Sequence, residues 1–239
     1  MANAFKEKFI YHFDKYKIIC TEKIIKDFYN FTNYLLSENE KYNLTSIKDI
    51  DGIIVKHYID SIMPLEYFNI PENSKIIDVG TGAGFPALPL AIMREDLNIT
   101  FLDSSNKKIK FIAAAQSIQN NPQHLMLCGR AEEFGRDVNF RETYDFAVSR
   151  AVAKLNVLCE LAAPFVKPGG YFIAYKSRSA HEEITEAANA LKMLGLKIEE
   201  TADFDLEGEN KRILIKIKKL KNLSTEYPRN FSNITKNPL

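Results

Sequence analysis

The stretch from Ile76 to Leu90 constrains the fold of this chain more than any other. Ile76-Ile77-Asp78-Val79 is a short, largely β-branched run, and it stops at three glycines on alternate positions, Gly80, Gly82 and Gly84. An apolar, helix-compatible run, Ala87 to Met93, follows. Strand, glycine turn, helix is the entry to a nucleotide site in a doubly wound α/β sheet. Glycine suits the turn because it accepts positive φ and lets backbone approach a ligand closely. Pro86 suits a first helical turn, where its missing N–H costs nothing.

A plain strand-to-helix turn could carry the same glycines, so the motif needs context. Two nucleotide readings compete. Gly82-Ala83-Gly84-Phe85-Pro86-Ala87 fits the dinucleotide pattern G-x-G-x-x-A, with Asp103 near the expected ~20 residues further on. Gly80-Thr81-Gly82-Ala83-Gly84, with Asp78 two residues before the first glycine, looks more like the first motif of the Rossmann-like methyltransferases. Their cofactor, S-adenosylmethionine, has no pyrophosphate, so its loop need not cradle phosphate.

From Ile76 onward strand and helix patterns alternate, which predicts a mostly parallel, doubly wound sheet with helices on both faces. Strands are expected at residues 76–79, 99–102, 124–127, 145–149 and 171–175, with helices over 87–94, 106–119, 154–165 and 180–194 between and after them. Two last strands, about 197–202 and 212–218, flank Asp203–Asn210 and read as an antiparallel edge hairpin, for about seven strands in all. Residues 4–70 read as helices. Phe5, Phe9, Ile10 and Phe13 share one helical face, and Thr21 can cap a second helix with Ile24, Ile25, Phe28, Phe31 and Leu35 along its apolar side. Such an aromatic stripe is core packing rather than a base-stacking platform. A third helix runs from about Asp51 to Met63 and ends at Pro64. The expected organisation is an N-terminal helical extension (1–70), a nucleotide-binding core (71–220) and an irregular basic tail (221–239).

Composition narrows the class. Hydrophobic content of 46% and charged content of 26% are ordinary for a soluble globular chain. No apolar run nears the ~18 residues of a membrane span, and Met1–Lys8 lacks the apolar core of a signal peptide. Cys20, Cys128 and Cys159 are odd in number and far apart, which favours reduced thiols and a cytoplasmic location. The four histidines show no metal-ligand spacing, so no metal is expected. Charge is uneven: residues 211–239 carry eight lysines and arginines against Glu226 alone, about +7, leaving about −6 elsewhere. That segment is either an RNA-binding face or a solvated strand edge that blocks aggregation.

Individual residues carry two readings each. Asp103 closes the second strand, where a carboxylate can accept ribose hydroxyls or cap the next helix. Arg150 ends the fourth strand, where such sheets bind ligands, and an arginine buried there needs a partner. His57 and Asp60, at i and i+3, can simply pair on one helix face.

In order along the chain, Asn43-Leu44-Thr45-Ser46-Ile47, His57-Tyr58-Ile59-Asp60-Ser61, Asp78 to Pro86, Leu102 to Lys108, Gly129-Arg130-Ala131-Glu132, Ser149-Arg150-Ala151-Val152-Ala153 and Lys167-Pro168-Gly169-Gly170 resemble the RsmG (GidB) family of bacterial small-subunit ribosomal RNA guanine-N7 methyltransferases. Tyr227-Pro228-Arg229 and Asn237-Pro238-Leu239 also look like that family's end, although Asn230–Thr235 replaces its usual basic run. The resemblance implies a Rossmann-like class I methyltransferase that binds S-adenosylmethionine and acts, as a monomer, on a guanosine in the 530 loop of 16S ribosomal RNA or the small ribosomal subunit. It implies cofactor contacts from Asp78, Gly80, Gly82, Gly84, Phe85, Asp103, Ser104, Ala131, Glu132 and Arg150. It also implies a positioning role for Asn43 and Arg150 and a place for His57 and Asp60 at the active-site rim; RNA contacts are expected from His57, Asp60, Lys176 and Arg229 and, on the charge asymmetry, from Lys218, Lys219 and Lys221.

The chemistry so implied needs no general base, because guanine N7 has a free lone pair and the sulfonium methyl is already activated. An arginine bidentate to O6 and N7 would occupy that lone pair, so Arg150 is expected to touch O6 or the cofactor. Competing functions are methylation of a small molecule or protein, which would not need the basic segment, and RNA binding without turnover.

Overall fold

The computed structural model describes residues 2–119, 124–207 and 209–239. Among them, seven strands form one sheet: β1 (Lys75–Val79), β2 (Asn98–Asp103), β3 (Leu125–Cys128), β4 (Tyr144–Arg150), β5 (Val166–Lys176), β6 (Leu196–Leu206) and β7 (Glu209–Lys219). Their order in space is β3-β2-β1-β4-β5-β7-β6. β1 to β5 run parallel, and β7 is antiparallel to both β5 and β6. The chain is thus the Rossmann-like, mostly parallel α/β sheet with N-terminal helices that the alternating pattern predicts. It winds outward from β1 to β3, then returns to place β4 on the other side of β1. That reversal opens a crevice at the carboxyl ends of β1 and β4. Ile76, Ile77 and Val79 are all buried, as a strand covered on both faces requires.

The N-terminal helices α1 (Ala2–Lys15) and α2 (Glu22–Tyr42) pack on this sheet, and the Thr21 hydroxyl accepts the Ile24 N–H at the start of α2. Phe5, Phe9, Phe13, Phe28, Phe31 and Leu35 are buried as expected, but Ile10 turns outward and His12 takes the inner side in its place. The rings form a ladder. Phe9 meets Phe28 at 5.3 Å, Phe28 meets Tyr58 at 4.5 Å, and Phe31 meets Phe85 of the glycine loop at 5.7 Å between centroids. Offset and tilted aromatic pairs of this kind add to simple burial. The helical extension therefore braces the loop that shapes the site.

Several expected bounds shift. The third helix runs from Ile50 to Ile62, but its middle, Ile53–Ile59, is a π-helix in which the Asp60 N–H reaches back to the Val55 carbonyl. Pro64 does not end helical structure. It opens a new turn, Pro64–Tyr67, at the one position where its absent N–H is free of cost. The helix expected over 154–165 is Leu155–Ala162, and the one over 180–194 is two pieces, Ala180–Glu186 and Ala188–Met193. β6 and β7 run into the expected Asp203–Asn210 gap, of which residue 208 lies outside the described residues.

The tail departs from the sequence reading in part: residues 221–230 form no helix or strand, but the segment is packed and ends in a short helix. Leu223, Tyr227 and Ile234 are buried, and a helix, Phe231–Lys236, is capped by the Asn230 side chain, which accepts the Asn233 N–H. Arg141 donates to the carbonyls of Leu223, Ser224 and Tyr227, and Arg136 to those of Thr225, Glu226 and Pro228. Irregular backbone can pack against a core when its polar groups find such partners.

Candidate active site

Two cavities open side by side at the carboxyl ends of the central strands. The inner one, about 490 Å³, is lined by Gly80, Gly82 and Phe85 of the loop after β1, Asp103 and Ser104 after β2, and Ala131 and Glu132 after β3. The outer one, about 570 Å³, lies between the π-helix and β5 and β7, with Lys56, Asp60, Tyr175, Lys176 and Arg212 on its walls. His57, Arg150, Ala151 and Val152 line both cavities and form the partition between them.

The glycine loop is shaped as its sequence requires. Gly80, Gly82 and Gly84 all have positive φ. A Cβ on Gly80 would stand 2.6 Å from the Val152 side chain, so only glycine lets the partition close down on the loop. Gly84 lines neither cavity. A Cβ there would come within 3.0 Å of Leu88, so its role is close packing of the following helix. Asp78 is likewise outside the cavities, fully buried beneath the loop, where Oδ2 accepts the Ala87 N–H at 3.3 Å. Burial pushes its carboxyl up to about 7.

Asp103 fills its capping role and lies on the wall of the inner cavity. Oδ1 accepts the Ser105 N–H at 2.9 Å, which caps the next helix, while Oδ2 accepts the Gly82 N–H at 3.0 Å and ties the loop to β2. Oδ2 also accepts the Lys108 ammonium at 3.4 Å, while Oδ1 keeps a second lone pair for a ligand hydroxyl.

Arg150 is the hub of the partition. Nη1 donates to Asp60 Oδ2 at 2.7 Å and to the Lys56 carbonyl at 3.2 Å, and the guanidinium lies 5.2 Å from the centre of the Phe85 ring. His57 and Asp60 do not pair with each other; both turn to Arg150. A guanidinium has no acceptor, so His57 Nδ1, 3.4 Å from Arg150 Nη2, must be the accepting nitrogen. Nε2 then carries the proton and donates to Thr45 Oγ1 at 2.7 Å. The ring also stacks on Phe85 at 4.3 Å. Burial, reinforced by the Arg150 charge, pushes His57 down to about 3, so it stays neutral near pH 7.

Other expected site residues are placed differently. Asn43 lines neither cavity; it is the exposed, left-handed C-cap of α2, and its neighbour Leu44 reaches the inner cavity. Asp60 is buried on the wall of the outer cavity and holds Arg150, with Arg212 Nε 3.6 Å from its Oδ1. Lys176 is buried in an ion pair with Glu183 at 2.7 Å and donates to the Ala153 carbonyl, so it holds the partition in place.

Lys219 is fully buried, bonded to Glu142 and to the Ala163 carbonyl, and cannot reach RNA. Lys218 pairs with Glu199, and the Lys221 stem packs on Gly195. Because β7 is antiparallel, Ile213 pairs with Lys176 at the cavity end of β5 while Lys218 pairs with Tyr171, so Lys218 and Lys221 lie toward the opposite end. Arg229 is bidentate on the buried Glu160 and anchors the tail.

Arg212 and Phe231 are among the residues at the cavities that were not singled out from the sequence. Arg212 stood in the basic segment and gave no signal apart from its place at the start of β7. Phe231, on the inner cavity, stood in a stretch that reads as irregular.

With this geometry, comparison with known proteins decides the family. Residues 24–214 match the family model for rRNA small subunit methyltransferase G, GidB. The chain belongs to the GidB family. A member from Clostridium beijerinckii, a ribosomal RNA small subunit methyltransferase G, is 45% identical over 213 residues, 89% of each chain. One from Thermoanaerobacter is 42% identical over 216 residues, 90% of each. Solved structures share the fold at low identity. A Haloferax volcanii chain solved with the Trm112 methyltransferase activator gives a TM-score of 0.57 at 16% identity, over 80% of this chain and 99% of that one. M. jannaschii TYW2 in complex with AdoMet gives 0.53 at 13% identity, over 67% and 77%. Among the described residues of this GidB family member, no group of three or more His, Cys, Asp or Glu is placed to hold a metal ion. No described helix is long and apolar enough to cross a membrane.

Proposed function

We propose that this chain transfers the methyl group of S-adenosylmethionine to N7 of a guanosine in 16S ribosomal RNA by direct in-line displacement. The observation that carries the reading is the partition. Two cavities of ligand size share one wall at the switch point of the sheet, as transfer between two bound partners needs. The inner cavity suits the cofactor, with Asp103 for the ribose hydroxyls and the backbone after β3 for the base. The outer cavity takes the guanine, unstacked from its neighbours. Family membership supports RNA as the substrate, since the relatives carry that substrate in their names.

At the partition His57 is a poor general base: burial pushes it down to about 3 and both ring nitrogens are engaged. N7 has no proton to lose, so none is needed, and alignment supplies the rate. Arg150, fixed by Asp60 and the Lys56 carbonyl, faces O6 or the cofactor and leaves the N7 lone pair free.

Incubation with tritiated S-adenosylmethionine and small-subunit RNA should yield labelled 7-methylguanosine. The single-turnover rate should be nearly flat from about pH 6.5 to 8.5. Label on another atom, or a rate rising tenfold per pH unit to a plateau, would remove the direct mechanism.

The same reading places RNA at the outer cavity, away from Lys218 and Lys221. Changing both to Gln should leave RNA affinity and its salt slope unchanged. Each lost phosphate contact on a single strand would flatten the log–log slope by roughly 0.7, and a change of that size would restore those lysines to the interface.

A further inference from the structure

We propose that the C-terminal segment is a wall of the cofactor site, and that Phe231 covers the nucleoside end of the cofactor. This rests on reading the inner cavity as the S-adenosylmethionine pocket. The cavity runs from the partition at β1 and β4, past Asp103 at the end of β2, to Gly129–Glu132 after β3. If the methyl group is delivered at the partition and the ribose meets Asp103, the adenine is left at the β3 end. Phe231 lines the cavity there: the Arg130 guanidinium, itself after β3, lies 5.4 Å from the centre of its ring.

Three features make this a built wall. Phe231 stays 40% exposed beside the cavity, although its helix neighbour Ile234 is fully buried. A ring free to fold inward would lower its free energy by doing so, whereas this one is left where a flat ligand can use it. The backbone just before it is fixed by Arg229, whose guanidinium grips Glu160 at 2.6 to 3.1 Å and whose N–H bonds the same carboxylate at 2.8 Å. Glu160 lies on the helix after β4, next to Leu161, which lines the same cavity. The backbone that carries the ring is therefore placed before any ligand arrives, so less ordering remains to oppose binding. Adenine offers a flat π face, which an aromatic side chain accepts by stacking or edge contact.

Calorimetry tests this with S-adenosylhomocysteine and 5′-methylthioadenosine, which share the nucleoside and differ in the amino-acid end. Phe231→Ala should weaken both by the same factor, roughly fivefold to thirtyfold, the lower part of what removing a base-stacking aromatic does. Phe231→Tyr should bind both like the parent. Phe231→Leu keeps apolar bulk without a ring face, and carries the same test should the alanine variant lower the melting temperature. Asp103→Ala is the control for the pocket itself. If Asp103→Ala loses affinity while Phe231→Ala and Phe231→Leu bind like the parent, the pocket stands and the tail is not its wall. If the Phe231 variants weaken only RNA binding, the ring serves a substrate base and the proposal is overturned. A parent protein that binds neither ligand would instead remove the reading of the inner cavity.

Discussion

Replacing Asp60 by Ala is expected to slow methyl transfer by about 10²-fold and to lower stability by about 3–5 kcal/mol. Asp60 Oδ2 holds Arg150 at 2.7 Å, its Oδ1 faces Arg212 at 3.6 Å, and its side chain is 7% exposed. Removing the carboxylate leaves two guanidiniums facing one small space with their shared counter-charge gone. An unpaired buried charge costs far more than the pair contributes when intact, which sets the stability figure. The rate falls for a separate reason. Arg150 forms the wall between the two cavities, and without Asp60 it moves or swings toward one of them. A displacement near 1 Å at a reacting pair is worth about 10² in rate. Asp60→Asn keeps one acceptor oxygen at the same place and should recover part of the rate. Single-turnover transfer and urea denaturation measure the two effects. A variant that transfers methyl at the parental rate would show that Arg150 is held well enough by the Lys56 carbonyl alone.

The second large effect concerns pH and Asp78. Its carboxyl is raised by burial to about 7 in the folded chain, against an ordinary value near 3.9 when unfolded. Below about pH 4 both states hold the proton, and Asp78 does not oppose folding. Between about pH 4 and 7 the unfolded chain releases the proton and the folded chain does not, so stability falls as pH rises. Above about 7 both are ionised and the loss is complete. A gap of about three pH units is worth about 4 kcal/mol. Asp78→Asn cannot ionise and keeps an oxygen for the Ala87 N–H. Urea midpoints should therefore coincide for the two proteins near pH 4, and the variant should be the more stable by up to about 4 kcal/mol at pH 8. Two curves that stay parallel across this range would mean that Asp78 is solvated or paired in the folded chain.

Much of the fold was legible because local chemistry and global position agree. Ile76–Val79 followed by spaced glycines can enter only a few arrangements, and the strand and helix patterns after it alternate as a parallel sheet demands. The lining of the inner cavity was partly legible for the same reason, since most of it follows directly from strand ends. The outer cavity was harder. His57 and Asp60 have identities that allow a simple i, i+3 pair, and only the partner 90 residues away, Arg150, decides that they converge instead.

Lys219 shows a signal that was present and overlooked. Ile213, Ile215 and Ile217 are buried, and period-two alternation puts residue 219 on the same face. Its charge argued for solvent, but parity won because Glu142 and the Ala163 carbonyl were there to receive it. The tail was illegible for a different reason. Its order comes from Arg136, Arg141 and Glu160, which lie 69 to 92 residues away from the groups they bind, and no local pattern encodes such distant partners.

The placement of β7 has a consequence for synthesis. It is the last strand to be made, yet it is an interior strand, with β5 on one side and β6 on the other. Until residues 209–219 leave the ribosome, β6 has no neighbour in the sheet and the free edge of β5 is open to wrong pairing. Arg212 arrives with that strand and completes the outer cavity, and Phe231 arrives later still. A nascent chain can therefore form β1 to β4 and the glycine loop early, but cannot complete the outer cavity before Arg212, or the inner one before Phe231, has emerged.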